Sequence, residues 1–343
     1  MKIAIVADAH FRGKKLQDKR LAWEQAVRKM IDLEIDMLIL AGDTFDTRNI
    51  GSRYASTGTV LEAFTTPLKT LTDRDIEVIA IKGNGVHEGT NGDQKSPIEV
   101  FTNTKVKVAQ GLNHFPVGDV NLYFIPWLED QDRDEQLKVF LRYAKDDKFP
   151  AFKLIVGHLT VKGCTLNNGT VMQGGGEFEV APEDLEATGA DLIALGHIHK
   201  RQKIGEKIWY VGALSQDSFG DEGNPQGFML VDTEKRMHEF IDIDAPKYFT
   251  IDDAPVPNPF HTEDYIKYRF KEPPENYDEI AALPNTTIEI VPERDIITRE
   301  VEGIEAGRSD EDLLRAWLVQ KDYTPDDIER IVKEAREISE GVE

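Results

Sequence analysis

The stretch KIAIVADAH, residues 2–10, decides how the chain is read. Ile3 to Ala7 form an unbroken apolar run that stops at Asp8, with His10 two residues on. A short run that is apolar at every position suits a strand buried on both faces of a layered sheet. Two residues at spacing two on an extended backbone point to the same side, so Asp8 and His10 share a direction.

The same pattern recurs along the first two-thirds of the chain. IDMLILAGD (35–43) ends in Asp43, and IEVIAIKGN (76–84) ends in Asn84. FKLIVGH (152–158) ends in His158, and DLIALGHIH (191–199) ends in His197 and His199 at the spacing of Asp8 and His10. VNLYFIPWL (120–128) and KIWYVGAL (207–214) are further apolar runs. Between them RLAWEQAVRKMI (20–31) has helical spacing, and STGTVLEAFTTPLKTLT (56–72) reads as a helix that Pro67 bends or divides. Alternating strands and helices predict an α/β fold. In an open α/β sheet the carboxyl ends of the strands face one crevice, where ligands bind.

A single histidine after a strand is commonly a core or loop residue. Five pieces in this order, each at a strand end, point instead to one constellation. Oxygen and imidazole donors without thiolate suit manganese, iron, magnesium or zinc, and the histidine content favours Mn²⁺ or Fe²⁺ over Mg²⁺. Seven candidate ligands are too many for one ion and suit two ions sharing a carboxylate, the arrangement that clamps an in-line displacement at phosphorus. Gly42, Gly83, Gly157 and Gly196 each precede a candidate ligand, where a sharp turn is useful.

Composition sets bounds. The 343 residues suit two or three packed units. The single cysteine, Cys164, excludes an internal disulfide framework and a thiolate zinc cage, and fits a reducing compartment. The first apolar run is too short for a signal sequence or a membrane span, so a soluble cytoplasmic protein is expected. The formal net charge of −22 argues against nucleic acid as a partner. Bound metal ions, or a partner that supplies basic surface, would weaken that objection. The basic run RGKKLQDKR (12–20), with Arg12, Lys14 and Lys15, is the candidate backbone contact. VKGCTLNNGTVMQGGGEFEV (161–180), with Asn168, is expected to form a mobile loop at the mouth of the site.

Near residue 240 the composition shifts. DIDAPKYFTIDDAPVPNPF (242–260) reads as a linker, and YIKYRF (265–270) and TTIEIV (286–291) as two strands of a small unit around a short helix. SDEDLLRAWLVQ (309–320) opens with a capping box from Ser309 to Asp312. TPDDIERIVKEAREI (324–338) has Thr324 as N-cap, Pro325 at the first helical position and an apolar stripe of Ile328, Ile331, Val332, Ala335 and Ile338. That stripe suits either a partner or the chain's own core.

DAH (8–10), GDTFD (42–46), GN (83–84), GH (157–158) and GHIH (196–199) resemble the five motifs of the calcineurin-like metallophosphoesterases. Within that superfamily the chain is most similar to the SbcD-type DNA double-strand-break repair nucleases and their phage recombination counterparts. GDTFDTRN (42–49), FIPW (124–127) and YVGALSQDSFGDEGNPQGFMLVD (210–232) carry the closer likeness. The resemblance covers about residues 1–235 well and the remainder loosely. It implies a layered β-sandwich core flanked by helices over 1–240, a small α+β capping domain over 241–300, and C-terminal helices over 301–343.

The resemblance also implies roles. Asp8, His10 and His199 would hold one metal, Asn84, His158 and His197 the other, and Asp43 would bridge them. The expected ions are two Mn²⁺, with Mg²⁺ or Fe²⁺ as alternatives. The expected activity is 3′-to-5′ exonuclease action on duplex DNA ends and endonuclease action on single strands. The expected partners are an SbcC-type coiled-coil ATPase, held through the C-terminal helices, and a second copy of the chain. Two other readings stay open: a small-molecule phosphodiesterase or pyrophosphatase, and a DNA-end-binding scaffold with impaired catalysis.

Two departures from the family pattern stand out. Asp46 stands where many members have histidine. In KGNGVHEG (82–89), His87 follows Asn84 by three residues instead of one. The family's histidine here assists the leaving oxygen. Two extra residues add roughly 7 Å of reach, so His87 regains that place only if the loop bulges. Gly85 and Gly89 would permit a bulge. Otherwise His87 is displaced with slower turnover, or is only a solvated loop residue.

Overall fold

The structure, a computed structural model, describes residues 1–46, 50–88, 97–109, 111–129, 131–167, 169–172, 178–252, 263–291, 311, 314–315, 318–319 and 323–340. Asn168, Gly89, Ser309 and Asp312 lie outside the described residues, as do 173–177 and 253–262.

The apolar runs form strands because each is flanked by turn residues and is apolar on both faces. Lys2–Val6 (β1), Met37–Ala41 (β2), Glu77–Ile81 (β3) and Lys107–Ala109 (β4) pair in parallel. Gly227–Asp232 (β13) and Met237–Asp242 (β14) extend this sheet antiparallel on the other side of β1. A second sheet sets Asn113–Val117 (β5) against Val120–Ile125 (β6), followed by Phe152–His158 (β7) and Leu192–Gly196 (β10). Gln202–Ile204 (β11) and Ile208–Tyr210 (β12) close it. Thr160–Val161 (β8) and Glu179–Val180 (β9) form a separate short pair.

Strand periodicity then sorts the side chains. Ile3, Ile5, Ile39 and Ile79 of the first sheet pack with Leu122, Phe124, Leu154 and Val156 of the second, forming the inner layer of a sandwich. The alternate residues Ala4, Val6, Leu38, Leu40 and Val78 face Leu16–Asp32 (α1) and Thr57–Thr72 (α2), where Trp23 stacks on Phe64 at 4.8 Å. The outer face of the second sheet, with Tyr123, Ile155 and Leu195, takes Leu137 and Leu141 of Arg133–Asp146 (α3) and Leu185 of Pro182–Glu186 (α4). The α/β layered sandwich expected from the sequence is present. Pro67 does not divide α2: the helix runs on through it, with the ring on the buried face.

The stretch read as a linker contains a strand. Tyr248–Asp252 (β15) pairs in parallel with Tyr265–Phe270 (β16), which pairs with Thr286–Ile290 (β17) after Tyr277–Ala281 (α5). Its apolar residues were hidden among Pro and Asp.

Met1–Ile290 forms one compact unit and Val291–Glu343 a second. In the second, Pro325–Glu340 (α6) starts at the Thr324 cap, whose hydroxyl accepts from Asp327 N at 3.3 Å. Ile328 and Val332 of the stripe are covered by Leu318, with Leu314 and Ile331 packed alongside. Among the described residues, no helix is long and apolar enough to cross a membrane.

Candidate functional site

Strands β1, β2 and β3 run parallel, as do β7 and β10, so their carboxyl ends bring the candidate ligands together. The backbone is unusual there. Asp8, His10, Asp43 and His197 have φ of 51°, 47°, 48° and 87°, in the left-handed region. Non-glycine residues held in that region store local strain, and such positions concentrate at functional sites. Glycine is needed beside them: a Cβ on Gly83 would lie 2.0 Å from Asp43 Oδ1.

Three groups of ligating atoms have mutual separations within 4.8 Å: Asp8, His10 and His199; His10, Asp43 and His87; and Asp43, His158 and His197. Asp43 belongs to two of the three. The imidazoles are oriented from behind. His158 Nδ1 donates to the Ala41 carbonyl at 2.8 Å, which leaves Nε2 3.2 Å from Asp43 Oδ2. His199 Nδ1 lies 3.2 Å from Asp221 Oδ1, and its Nε2 meets Nε2 of His10 at 2.9 Å. Asp8 accepts from His197 N with both oxygens, at 3.0 and 3.1 Å. Trp127 walls the far side, 5.0 Å from the His197 ring.

The electrostatics are those of a crowded, dry site. Burial raises the Asp8 carboxyl, partly offset by the charges of His158 and His199. Burial opposes protonation of His158, but the Asp43 charge and hydrogen bond outweigh it and raise the ring to about 9. His199 also reaches about 9 against burial, through its Asp221 hydrogen bond and the charges of Asp8 and Asp221. Burial, with His158 nearby, drives His197 down to about 3. Nδ1 of His10 is buried without a hydrogen-bond partner. Buried carboxylates, oriented imidazoles and an orphaned ring nitrogen fit divalent cations.

Asn84 is in the site in a second capacity. Its Nδ2 faces Asp43 Oδ2 at 2.8 Å and His197 Nδ1 at 3.5 Å. Its Oδ1 accepts from Val86 N at 2.9 Å and His87 N at 3.1 Å. The oxygen faces the ligand group only if the amide is turned over.

The two extra residues are absorbed by a helical turn. The Asn84 carbonyl accepts from both His87 N and Glu88 N, at 3.1 and 2.8 Å. The turn carries His87 back to the site, edge-on to His10 with ring centroids 4.3 Å apart. Gly85 is not among the described residues with positive φ. What it provides is room, since a Cβ there would meet Glu129 Oε1 at 2.3 Å.

Sequence reasoning gave no role to three acids. Glu88, fully buried, accepts from Phe45 N at 3.0 Å and Gly83 N at 2.6 Å, tying the loop after β2 to the loop after β3. Burial, then the Asp43 charge, raises it to about 7. Asp221 holds His199 and itself accepts from Asn167 Nδ2 at 2.5 Å and from Asp217 N at 2.9 Å. The Ser218-to-Asp221 capping box was its local sequence signal. Asp46 accepts from Arg12 Nη1 at 3.2 Å. We expect Asp221→Asn to lower divalent-metal affinity by about 10–100-fold with little change in fold, read by calorimetric titration and circular dichroism.

The basic run is largely turned inward. Arg12 pairs with Asp46 and Asp217. Lys15 donates to Asp217 O at 3.3 Å and lies over the rings of Tyr248 and Tyr265. Lys14 is exposed. The described part of the loop over 161–180 forms a hydrogen-bonded hairpin, with Leu166 N to Thr170 O at 2.8 Å and Met172 N to Cys164 O at 2.8 Å.

Residues 1–201 match the family model described as calcineurin-like phosphoesterase. Among solved structures, a dimetal phosphatase from Danio rerio is 11% identical with a TM-score of 0.40, the match covering 67% of this chain and 91% of that one. A protein of Thermus thermophilus is 16% identical with a TM-score of 0.40, over 70% of this chain and 98% of that one. GAP50, the anchor in the inner membrane complex of Plasmodium, is 13% identical with a TM-score of 0.40, over 85% and 98%.

Proposed function

Because the chain belongs to the calcineurin-like phosphoesterase family, whose fold uses a dimetal centre, we propose that it hydrolyses phosphodiester bonds in DNA. Its place would be that of the nuclease subunit in double-strand-break processing and recombination. The observation that carries the phosphodiesterase reading is the return of His87 to the Asp–His cluster despite the longer loop.

Asp8, His10 and His199 would hold one divalent ion. Asp43, His158 and His197 would hold the other, with Asn84 joining if its amide turns, and Asp43 placed to serve both. When bound, such ions supply charge stabilisation at phosphorus and an activated water near neutral pH. The Ala41 carbonyl and Asp221 fix the rings of His158 and His199. Trp127 keeps water from one side. His87, on the open side, gives a proton to the leaving oxygen, help worth about 10²–10⁴-fold.

DNA as substrate is favoured by the likeness of 210–232 to the nuclease branch. That stretch supplies Asp221, so it is part of the site. The same reading carries an SbcC-type ATPase and a second copy of this chain as partners. In the C-terminal unit, Val319 and Tyr323 remain exposed for such docking. A small phosphodiester or pyrophosphate is the second reading. The net charge of −22 and the inward pairing of Arg12 and Lys15 favour it.

The deciding assay is nucleotide release from a 3′-labelled linear duplex in Mn²⁺, run beside bis(p-nitrophenyl) phosphate and pyrophosphate. His158→Ala is the control. Release from the duplex that vanishes in the control is the expected result. Turnover of the small substrates alone would move the assignment to the second reading.

A further inference from the structure

The ring of His199 is oriented by Asp221, and Asp221 is itself held from several sides. Its Oδ2 accepts from Asp217 N at 2.9 Å and from Ser218 N at 3.1 Å. Its Oδ1 lies 3.2 Å from His199 Nδ1 and accepts from Asn167 Nδ2 at 2.5 Å. With donors on both oxygens Asp221 is an acceptor-only carboxylate, so Asn167 must turn the NH₂ side of its amide to it. That leaves the amide oxygen of Asn167 to accept, and it takes Asn224 Nδ2 at 2.9 Å. A directed chain of side chains therefore runs Asn224, Asn167, Asp221, His199.

Asn167 comes from another part of the chain than its partners. It sits in the hairpin that follows His158, whose described residues are joined by Gly163 N to Met172 O at 2.7 Å and Leu166 N to Thr170 O at 2.8 Å. A second side chain ties this hairpin to the His199 segment. Gln202 Oε1 accepts from Thr165 N and its Nε2 donates to Thr165 O, both at 2.8 Å, and Nε2 also donates to Lys200 O at 3.1 Å. Gln202 meets only backbone groups, and fixes where the hairpin sits. Asn167 reaches a carboxylate, where a hydrogen bond is stronger than between neutral groups. That carboxylate aims one candidate ligand. The other group of ligands is oriented separately, since His158 Nδ1 donates to the Ala41 carbonyl.

Given the two-ion reading of the Asp–His cluster, on which this rests, we propose that Asn167 is a positioning residue for one ion of the two, the one assigned to Asp8, His10 and His199. It acts through Asp221. With the amide in place, Asp221 Oδ1 stays against His199 Nδ1, and His199 Nε2 keeps its lone pair toward His10 and Asp8. Without it the carboxylate is free to turn on its own side-chain bond, and His199 loses its fixed aim. The coupling runs both ways, because linkage between two sites is reciprocal. An ion that fixes His199 also fixes Asp221 and, through Asn167, the hairpin. An exposed asparagine in a glycine-rich loop thus sets the affinity of a buried site.

The test is calorimetric titration of the full, chelator-stripped chain with Mn²⁺, comparing wild type, Asn167→Ala, Asn167→Asp, Asp221→Ala and the double variant of Asn167→Ala with Asp221→Ala. Asn167→Ala is expected to weaken one binding step by about 3–10-fold, the contribution of one hydrogen bond, and to leave the other within about twofold. Asn167→Asp sets a second carboxylate against Asp221 and should weaken the same step at least as much. Asp221→Ala is expected to cost that step about 10–100-fold. Adding Asn167→Ala to it should cost nothing more, because a residue that acts only through another has no effect once that other is gone. Equal losses on both steps, no loss on either, or a double variant whose losses multiply would each overturn the proposal. The second readout is amide hydrogen exchange at Leu166 and Met172, inside the hairpin. Mn²⁺ should slow it in wild type and leave it unchanged in Asn167→Ala; the same slowing in both overturns the coupling. If wild type binds no second ion, the two-ion reading fails. Exchange in the metal-free chain then decides the contact: Asn167→Ala and Asp221→Ala should speed it alike, and a hairpin unmoved by Asp221→Ala overturns it.

Discussion

Asp43→Ala is expected to abolish phosphodiester hydrolysis and to lower the metal bound per chain. Asp43 is 1% exposed and lies in both the group with His10 and His87 and the group with His158 and His197. His10 also belongs to two groups, but among the described residues only Asp43 joins the group of His158 and His197 to another. Its Oδ1 accepts from Asn84 N and its Oδ2 from Asn84 Nδ2, both at 2.8 Å. Truncation therefore removes the common acceptor and also frees the loop that presents Asn84 and His87. Loss of preorganised charge stabilisation in a dry site costs on the order of 10³-fold or more. The two donors left unmet add about 1–3 kcal/mol each of instability. Asp43→Asn keeps the volume and loses the charge, so it should retain the fold and lose nearly as much activity. Metal content after gel filtration and initial rates on a diester check both variants. A wild-type rate with full metal content in Asp43→Asn would refute the shared-ligand assignment.

The strands that carry the site were legible because each contains a short, nearly unbroken apolar run, a pattern that suits a doubly covered strand. The candidate ligands were legible because each interrupts such a run at its carboxyl end. Glu88 was not. In sequence it is an acid in a polar loop, and its burial arises only when the turn from Asn84 folds its carboxylate onto Phe45 N and Gly83 N. Asp221 lies 22 residues beyond His199, and nothing local links the two. Arg12 and Lys15 read as a solvated basic face. Their partners Asp46 and Asp217 lie far along the chain, and a charge run does not reveal which members turn inward. The return of His87 was legible as one of three outcomes. The structure brings it to the site by a helical turn rather than by a left-handed glycine.

The metal-free protein is expected to lose stability as pH rises from 7 to 9, and the metal-loaded protein to gain relative to it. His158 and His199 are both held at about 9, above the ordinary 6.5, by their acids in spite of burial. A histidine raised in the folded state stabilises the fold fully below its unfolded value. That contribution fades as pH climbs through the folded value, at up to roughly 1.4 kcal/mol per pH unit for each proton. Glu88, raised to about 7 by burial and by Asp43, acts in the same direction but at lower pH. His10 and His197 are lowered, chiefly by burial, and act in the opposite direction only below the ordinary 6.5. Lys15, lowered to about 8 chiefly by burial, works against them above pH 8, so the two raised histidines set the sign most fully between pH 7 and 8. A divalent ion needs both rings neutral, so it competes with these protons and binds more tightly as they leave. The gap between loaded and metal-free unfolding midpoints should widen with pH, because ligand binding to the folded state stabilises it in proportion to affinity. Urea unfolding at pH 7, 8 and 9, with a chelator or with saturating Mn²⁺ under argon, measures both slopes. His158→Gln should remove about half of the metal-free slope, since one of the two proton sites is gone. A metal-free midpoint that stays level across this range would mean the rings are neutral in the folded protein, and that Asp43 and Asp221 orient them without charging them.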